Sequence, residues 1–217
     1  MKLFGYWRSS SSWRVRVGLA LKGVDYEYIA VHLVEEGGRQ HEEGFRKKNP
    51  LRQIPVLQWE EEGEVHRLSQ SLAILEYLEE RFSSPPLLPG SMEQRGRIRQ
   101  LAEVVNSGIQ PLQNLAVMQK LKAESDVDAR EWSAYWIRRG LKAYAHMVKD
   151  ERGDFSIGDD PTLADICLIP QLYNARRFDI DPGDFPRLLS IEEACFEREA
   201  FQVSHPDQQP DAVSVKR

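Results

Sequence analysis

The chain reads as a small α/β domain followed by an all-helical domain, and three observations carry that reading. Up to residue 82, apolar runs of strand length alternate with segments of helical periodicity. Residues 83–90, Ser-Ser-Pro-Pro-Leu-Leu-Pro-Gly, then bring three prolines and a glycine that stop a helix and mark a linker. From 91 to 217 helical patterns dominate. The 217 residues suffice for one large or two small domains.

Residues 2–6 are the first strand. The next segment carries two periods at once. Val15, Val17, Leu19 and Leu21 alternate as in a strand, while Trp13, Val17, Ala20, Leu21 and Val24 fall at helical spacing. The serines ahead of it and Lys22-Gly23 behind are a helix start and stop, so it is read as a helix. Tyr26 to Val31 is a second strand, with an exposed turn at Glu35-Glu36-Gly37-Gly38. A short helix near 41–48 leads to Asn49-Pro50, and Ile54-Pro55-Val56-Leu57 begins a third strand. Glu60-Glu61-Glu62-Gly63 is a solvated hairpin turn into a fourth strand near Val65. From Gln70 to Phe82 a helix aligns Ile74, Leu75, Leu78 and Phe82 on one face. Beyond the linker the helices fall at about 91–120, 128–149, 162–175 and 187–197, with Thr162-Leu163-Ala164-Asp165 spaced as a capping box. After Pro206 the polar, proline-bearing tail is expected to hug the surface or fray.

Hydrophobic residues at 41% and charged residues at 29% are ordinary for a soluble globular protein. A net charge of −5 offers no basic surplus for nucleic acid or an anionic membrane. There is no membrane-length apolar run and no signal-peptide pattern, and the only cysteines, Cys167 and Cys195, read as buried structural thiols. A reducing cytoplasm fits that pattern. Cys-x-x-Cys, His-Glu-x-x-His and the phosphate-cradling glycine loop are all missing, and the five histidines do not pair at ligand spacing, so no metal is expected.

The polar residues that remain are suited to anions. Arg8-Ser9-Ser10-Ser11-Ser12-Trp13-Arg14-Val15-Arg16 crowds hydroxyls where a strand hands over to a helix. A helix N-terminus offers unpaired N–H groups and partial positive charge, so this is either a thiolate-holding site or a polar loop ending in a cap. Gln70-Ser71 opens another helix and is either a carboxylate site or a simple cap. Ile54-Pro55 starts a strand; a cis proline there would leave the preceding N–H and C=O for an extended peptide, whereas most such bonds are trans. Arg176-Arg177 ends a helix, as a dipole partner or a dicarboxylate binder.

The order of elements resembles the cytosolic glutathione transferases, and four stretches narrow the resemblance to the zeta class, which includes maleylacetoacetate isomerases. They are the Arg8–Arg16 run, Gln70-Ser71-Leu72-Ala73-Ile74, Gly108-Ile109-Gln110-Pro111-Leu112-Gln113-Asn114-Leu115, and Glu199-Ala200-Phe201-Gln202-Val203-Ser204-His205-Pro206. The resemblance implies a thioredoxin-like glutathione domain over 1–82, the linker 83–90 and an all-helical domain over 91–217, assembled as a homodimer. By matching position Ser9, Ser10 and Ser11 are the catalytic group facing the glutathione sulfur, with Ser9 foremost. Ile54 before a cis Pro55 would pair with the cysteinyl backbone, Gln70 and Ser71 would hold the γ-glutamyl carboxylate, and Gln40 would reach the glycyl end. Gln110 and Asn114 would line the glutathione site from the helical domain, and Arg8 and Arg177 would meet the carboxylates of an acidic substrate.

The chain departs from the family in having Ser11 where the motif has cysteine. A hydroxyl donates hydrogen bonds better than a thiol, so thiolate stabilisation survives while mixed-disulfide chemistry does not. The implied reaction is glutathione-dependent cis–trans isomerisation of maleylacetoacetate, a small dicarboxylic enone of phenylalanine and tyrosine catabolism, by a route calling for neither a metal nor a redox change. The alternatives are a transferase acting on α-haloacids or other electrophiles, a maleylpyruvate isomerase, and a glutathione-fold binding module without catalysis. The joint presence of Ser9, Gln70, Ser71, Gln110 and two placed arginines favours an enzyme.

Overall fold

Strand β1 (Lys2–Gly5) occupies an inner position of a four-stranded sheet. It pairs in parallel with β2 (Glu27–Ala30) and antiparallel with β3 (Val56–Glu61), which pairs antiparallel with β4 (Glu64–Ser69). The order is therefore β2-β1-β3-β4. A parallel pair needs a crossover, supplied by helix α1 (Ser10–Leu21). The short α2 (Glu43–Arg46) precedes β3, and α3 (Ser71–Arg81) follows β4 and packs against α1. The computed structural model describes residues 1–213. Leu3, Val15, Leu19, Leu57, Ile74 and Leu78 form the core of this unit. Each such side chain contributes about 1.5–3 kcal/mol by leaving water.

The double periodicity of α1 has a structural cause. Every residue from Ser10 to Leu19 is buried, so no polar face remains to reveal the helical period. Gly18 permits the close approach of α3, since a Cβ there would lie 2.2 Å from Leu75 Cδ2. Gly23, at φ 63°, ends α1: its N–H bonds Ala20 O and that of Val24 bonds Leu19 O, the paired Schellman pattern. The Lys22 ammonium, its side chain wholly buried, bonds Glu79 at 2.6 Å and the Pro85 carbonyl at 2.7 Å.

The chain divides into two compact units, Met1–Pro85 joined by the segment that begins at Glu199, and Pro86–Arg198. The segment from Glu199, which the sequence reading carries with the helical domain to 217, groups with the first unit. Helix α9 (Glu199–Val203) and the residues after it bind α1: Trp13 Nε1 donates to Ser204 Oγ at 3.2 Å and Arg16 Nε to Ser204 O at 3.0 Å. The tail hugs the surface, with Pro206 buried and Asp211 accepting from Trp7 N at 3.0 Å; residues 214–217 lie outside the described part.

In the second unit, α4 (Met92–Asn106) packs on α7 (Leu163–Arg177), with α6 (Ala129–Met147) and α8 (Pro186–Phe196) also against α7. The expected helix over 91–120 is two helices. After α4 the chain turns through Gly108 and Ile109 into a 3-10 turn, Gln110–Gln113, before α5 (Leu115–Glu124), because Pro111 has no N–H to continue the ladder. No disulfide joins Cys167 and Cys195, both are fully buried, and burial pushes the Cys195 thiol up.

The capping box of α7 is realised in the core. Asp165 accepts from Ser156 N and Thr162 N at 2.8 Å each and from the Thr162 hydroxyl at 2.9 Å. Burial nonetheless pushes its carboxyl up. Asp165→Ala strands those three donors in the interior, so it should lower unfolding stability by about 3 kcal/mol, read from the urea midpoint.

Candidate functional site

Strand register gathers the site of the first unit. Phe4 near the end of β1 pairs with Val56 at the start of β3, and Val56 pairs with Ser69 at the end of β4. Gly5 pairs with Ala30 at the end of β2. One end of the sheet therefore launches the loop to Ser9–Ser11, the Ile54-Pro55 approach, the Gln70-Ser71 turn and the path to Gln40. The Ile54–Pro55 bond is cis.

Ser9 is the N-cap of α1, its Oγ accepting from Ser12 N at 3.2 Å. A hydroxyl carries one proton and two lone pairs, so the Ser9 O–H remains a donor. Ser10 and Ser11 form the first turn, each 8% exposed, while Ser12 is wholly buried and accepts from Tyr6 N at 3.4 Å. The first turn holds no acidic residue, so nothing in it offsets the positive end of the dipole. Arg8, partly buried, lays its guanidinium carbon 5.4 Å from the centre of the Trp7 ring.

Gln70 precedes α3 at φ 73°, a left-handed conformation for a side chain with a Cβ, and makes no capping bond. Ser71 is buried, and its Oγ accepts from Arg14 Nη1 at 3.3 Å, so its own proton also remains a donor. Arg14 is fully buried, which brings a guanidinium behind the N-terminus of α3. Gln40 lies in the 3-10 turn Arg39–His41, donating to Leu33 O at 3.2 Å; its Oε1 is buried without a partner among the described residues. Such an orphaned acceptor costs about 1–3 kcal/mol until a donor reaches it.

The second unit holds Gln110, Asn114 and Arg177. Gln110 opens the 3-10 turn, and Asn114 caps α5 by accepting from Ala116 N at 3.0 Å. The turn is tied to α7 by a buried amide pair, Gln113 Nε2 to Gln171 Oε1 at 2.6 Å. Along α7, Gln171, Asn174 and Arg177 are three apart and share a face. Arg177 is exposed and donates to Asn174 Oδ1 at 2.9 Å, whereas Arg176 is committed to Glu192 at 2.7 and 2.5 Å.

The sequence pattern gives no role to Arg14, Arg16, Gln113, Gln171, Ser204 or Asp211. Arg16 is fully buried, bonding Trp7 O at 2.9 Å, Tyr6 O at 3.5 Å and Ser204 O, and burial lowers its pKa. A signal for both arginines does exist in the sequence: charges inside a segment whose other positions are apolar or small.

A parallel-antiparallel sheet with a cis proline entering β3, and two helix N-termini free of acidic residues at one sheet end, define the class. Residues 1–80 match the glutathione S-transferase N-terminal domain. The maleylacetoacetate isomerase of Rattus norvegicus is 43% identical, covering 99% of this chain and 96% of its own. A maleylpyruvate isomerase of a Ralstonia species is 40% identical, covering 98% and 100%. The maleylacetoacetate isomerase of Anaeromyxobacter dehalogenans 2CP-1, solved with glutathione in its active site, superposes with a TM-score of 0.90 at 52% identity over 98% of this chain and 97% of that one. The chain belongs to the zeta-class glutathione transferase and maleylacetoacetate isomerase family.

Gln70 is the clearest point of backbone strain in the site. Gln70→Gly should raise stability by about 1 kcal/mol, seen as a higher denaturation midpoint, because glycine adopts positive φ without a Cβ clash.

Proposed function

We propose that this protein catalyses the glutathione-dependent isomerisation of maleylacetoacetate to fumarylacetoacetate. The observation that carries the reading is the acid-free N-terminus of α1, where Ser9 keeps a proton to donate, on the same sheet end as Ser71 backed by Arg14. Bound glutathione would supply a thiolate sulfur that adds reversibly to the cis double bond of a conjugated dicarboxylic acid.

A free thiol is only a few per cent ionised at neutral pH, its pKa being about 8.5. Ser9, Ser10 and Ser11, with the first N–H groups of α1, are the groups that hold the sulfur as an anion. Ser11 serves as a hydroxyl donor in place of the family's cysteine. Gln70 and Ser71 take the γ-glutamyl carboxylate at the N-terminus of α3, the Ile54 backbone pairs with the cysteinyl unit, and the orphaned Gln40 oxygen suits an N–H towards the glycyl end. The family resemblance assigns Gln110 and Asn114 to glutathione as well, the Asn114 oxygen being occupied in capping α5. The same resemblance assigns Arg8 and Arg177 to the carboxylates of the acid, a role that suits guanidinium forks. The same reading makes the protein a cytoplasmic homodimer; no helix among the described residues is long and apolar enough to cross a membrane.

A second reading, maleylpyruvate isomerisation, is favoured by the Ralstonia relative at 40% identity. The two are separated by following maleylacetoacetate and maleylpyruvate in parallel with catalytic glutathione, with chlorofluoroacetate as a third substrate. Isomerisation of maleylacetoacetate without glutathione consumption supports the proposal. Preference for maleylpyruvate supports the second reading, and halide release alone makes the protein a dehalogenating transferase.

Ser9→Ala should cut kcat about a hundredfold, as loss of a donor to a developing anion does, and cost about 1 kcal/mol of stability through the lost cap. Arg177→Ala should lower kcat/KM for the dicarboxylic acid by roughly ten- to a hundredfold while the pKa of bound glutathione stays put. An unchanged kcat/KM would remove Arg177 from substrate binding.

A further inference from the structure

The motif around Ser204 and the chain beyond it have no part in the function described so far, yet they hold the loop that carries Arg8 and Ser9. Between β1 and α1 the backbone at Trp7 is clamped on both of its polar groups. Its N–H donates to Asp211 Oδ2 at 3.0 Å, and its C=O accepts from Arg16 Nη2 at 2.9 Å. Arg16 also bonds Tyr6 O at 3.5 Å, and its Nε is anchored on Ser204 O at 3.0 Å. Asp211 is in turn fixed by the Tyr28 hydroxyl from β2 at 3.3 Å. Burial, followed by the Asp211 charge, pushes the Tyr28 phenol up, so it stays protonated and donating. The loop closes on itself through Ser9 N to Tyr6 O at 3.0 Å, so a displacement of Trp7 is passed to Ser9.

We propose that Asp211 is a positioning residue for the glutathione site, holding the Trp7 backbone so that the Arg8–Ser9–Ser10 turn presents its donors to the bound sulfur. The inference rests on the isomerase reading for its catalytic consequence, but the clamp itself is a property of the free protein. Three residues outside the β1–α1 connection thus set its geometry: Tyr28, Ser204 and Asp211. The side chain at 211 must accept two hydrogen bonds; its charge strengthens them without being required for their geometry.

The test compares wild type, Asp211→Ala and Asp211→Asn. Amide hydrogen exchange is followed across residues 6–12, and the pKa of bound glutathione by its thiolate absorbance. In Asp211→Ala the Trp7 amide should exchange about tenfold faster or more, with α6 in the second unit unchanged. The bound thiol pKa should rise and kcat fall about tenfold, with KM for the acid unmoved. Asp211→Asn keeps an acceptor oxygen and should recover most of both effects. Unaltered exchange at Trp7 in Asp211→Ala overturns the clamp, and so does uniform acceleration across the first unit in both variants, which would make Asp211 merely structural. Altered exchange with an unmoved thiol pKa and kcat overturns the link to the sulfur. A wild type inert toward every acid defeats the isomerase reading instead, and the exchange data still decide the clamp.

Discussion

Burying a guanidinium is costly unless its donors find acceptors, and α1 buries two. Because the helix is covered from Ser10 to Leu19, Arg14 and Arg16 cannot reach water. Each recruits oxygen from elsewhere: Ser71 at the start of α3, the carbonyls of Tyr6 and Trp7, and Ser204 near the end of the chain. Burial lowers the pKa of Arg16, and the neighbouring Tyr28, Tyr26 and Asp211 oppose that shift. Through Arg16 that requirement ties both the terminal segment and the β1–α1 connection to α1.

The same constraint shapes the electrostatics. With acids excluded from the first turns of α1 and α3, both dipoles point positive charge at one end of the sheet. Donors there are fixed by bonds they already make as acceptors: Ser9 through Ser12 N, Ser71 through Arg14. Such donors need little reorganisation when an anion arrives, the condition under which a low-dielectric site stabilises charge best. The strained Gln70 backbone and the orphaned Gln40 oxygen are the local costs of the arrangement.

Most of the fold is legible in the residues. The strand and helix order to residue 82, the cis Pro55, the Thr162–Asp165 box and the buried thiols all come from spacing, from the family resemblance or from composition. The break between α4 and α5 is harder to read, since a single proline after a glycine competes with strong flanking periodicity. The attachment of Ser204 and Asp211 to the first unit is invisible because local sequence carries no record of a hydrogen bond spanning 188 or 204 positions. Of the site, the capping serines and the Gln70-Ser71 turn are local motifs and can be placed. The arginines beneath them are defined by which helix face is covered, and for α1 every face is.

Replacing the motif's cysteine by Ser11 has a consequence for chemical durability. Cys167 and Cys195 are the only cysteines, and both are sealed in the helical core, where burial keeps the Cys195 sulfur protonated. The protein therefore presents no cysteine sulfur of its own to an electrophile at the active site. Activated enones and haloacids, which alkylate exposed thiolates, would meet only the sulfur of the exchangeable ligand, and peroxide would find no site cysteine to oxidise. Turnover damage would then fall on a molecule that diffuses away and is replaced rather than on the polypeptide, and inactivation by its own substrates is designed out at a single position.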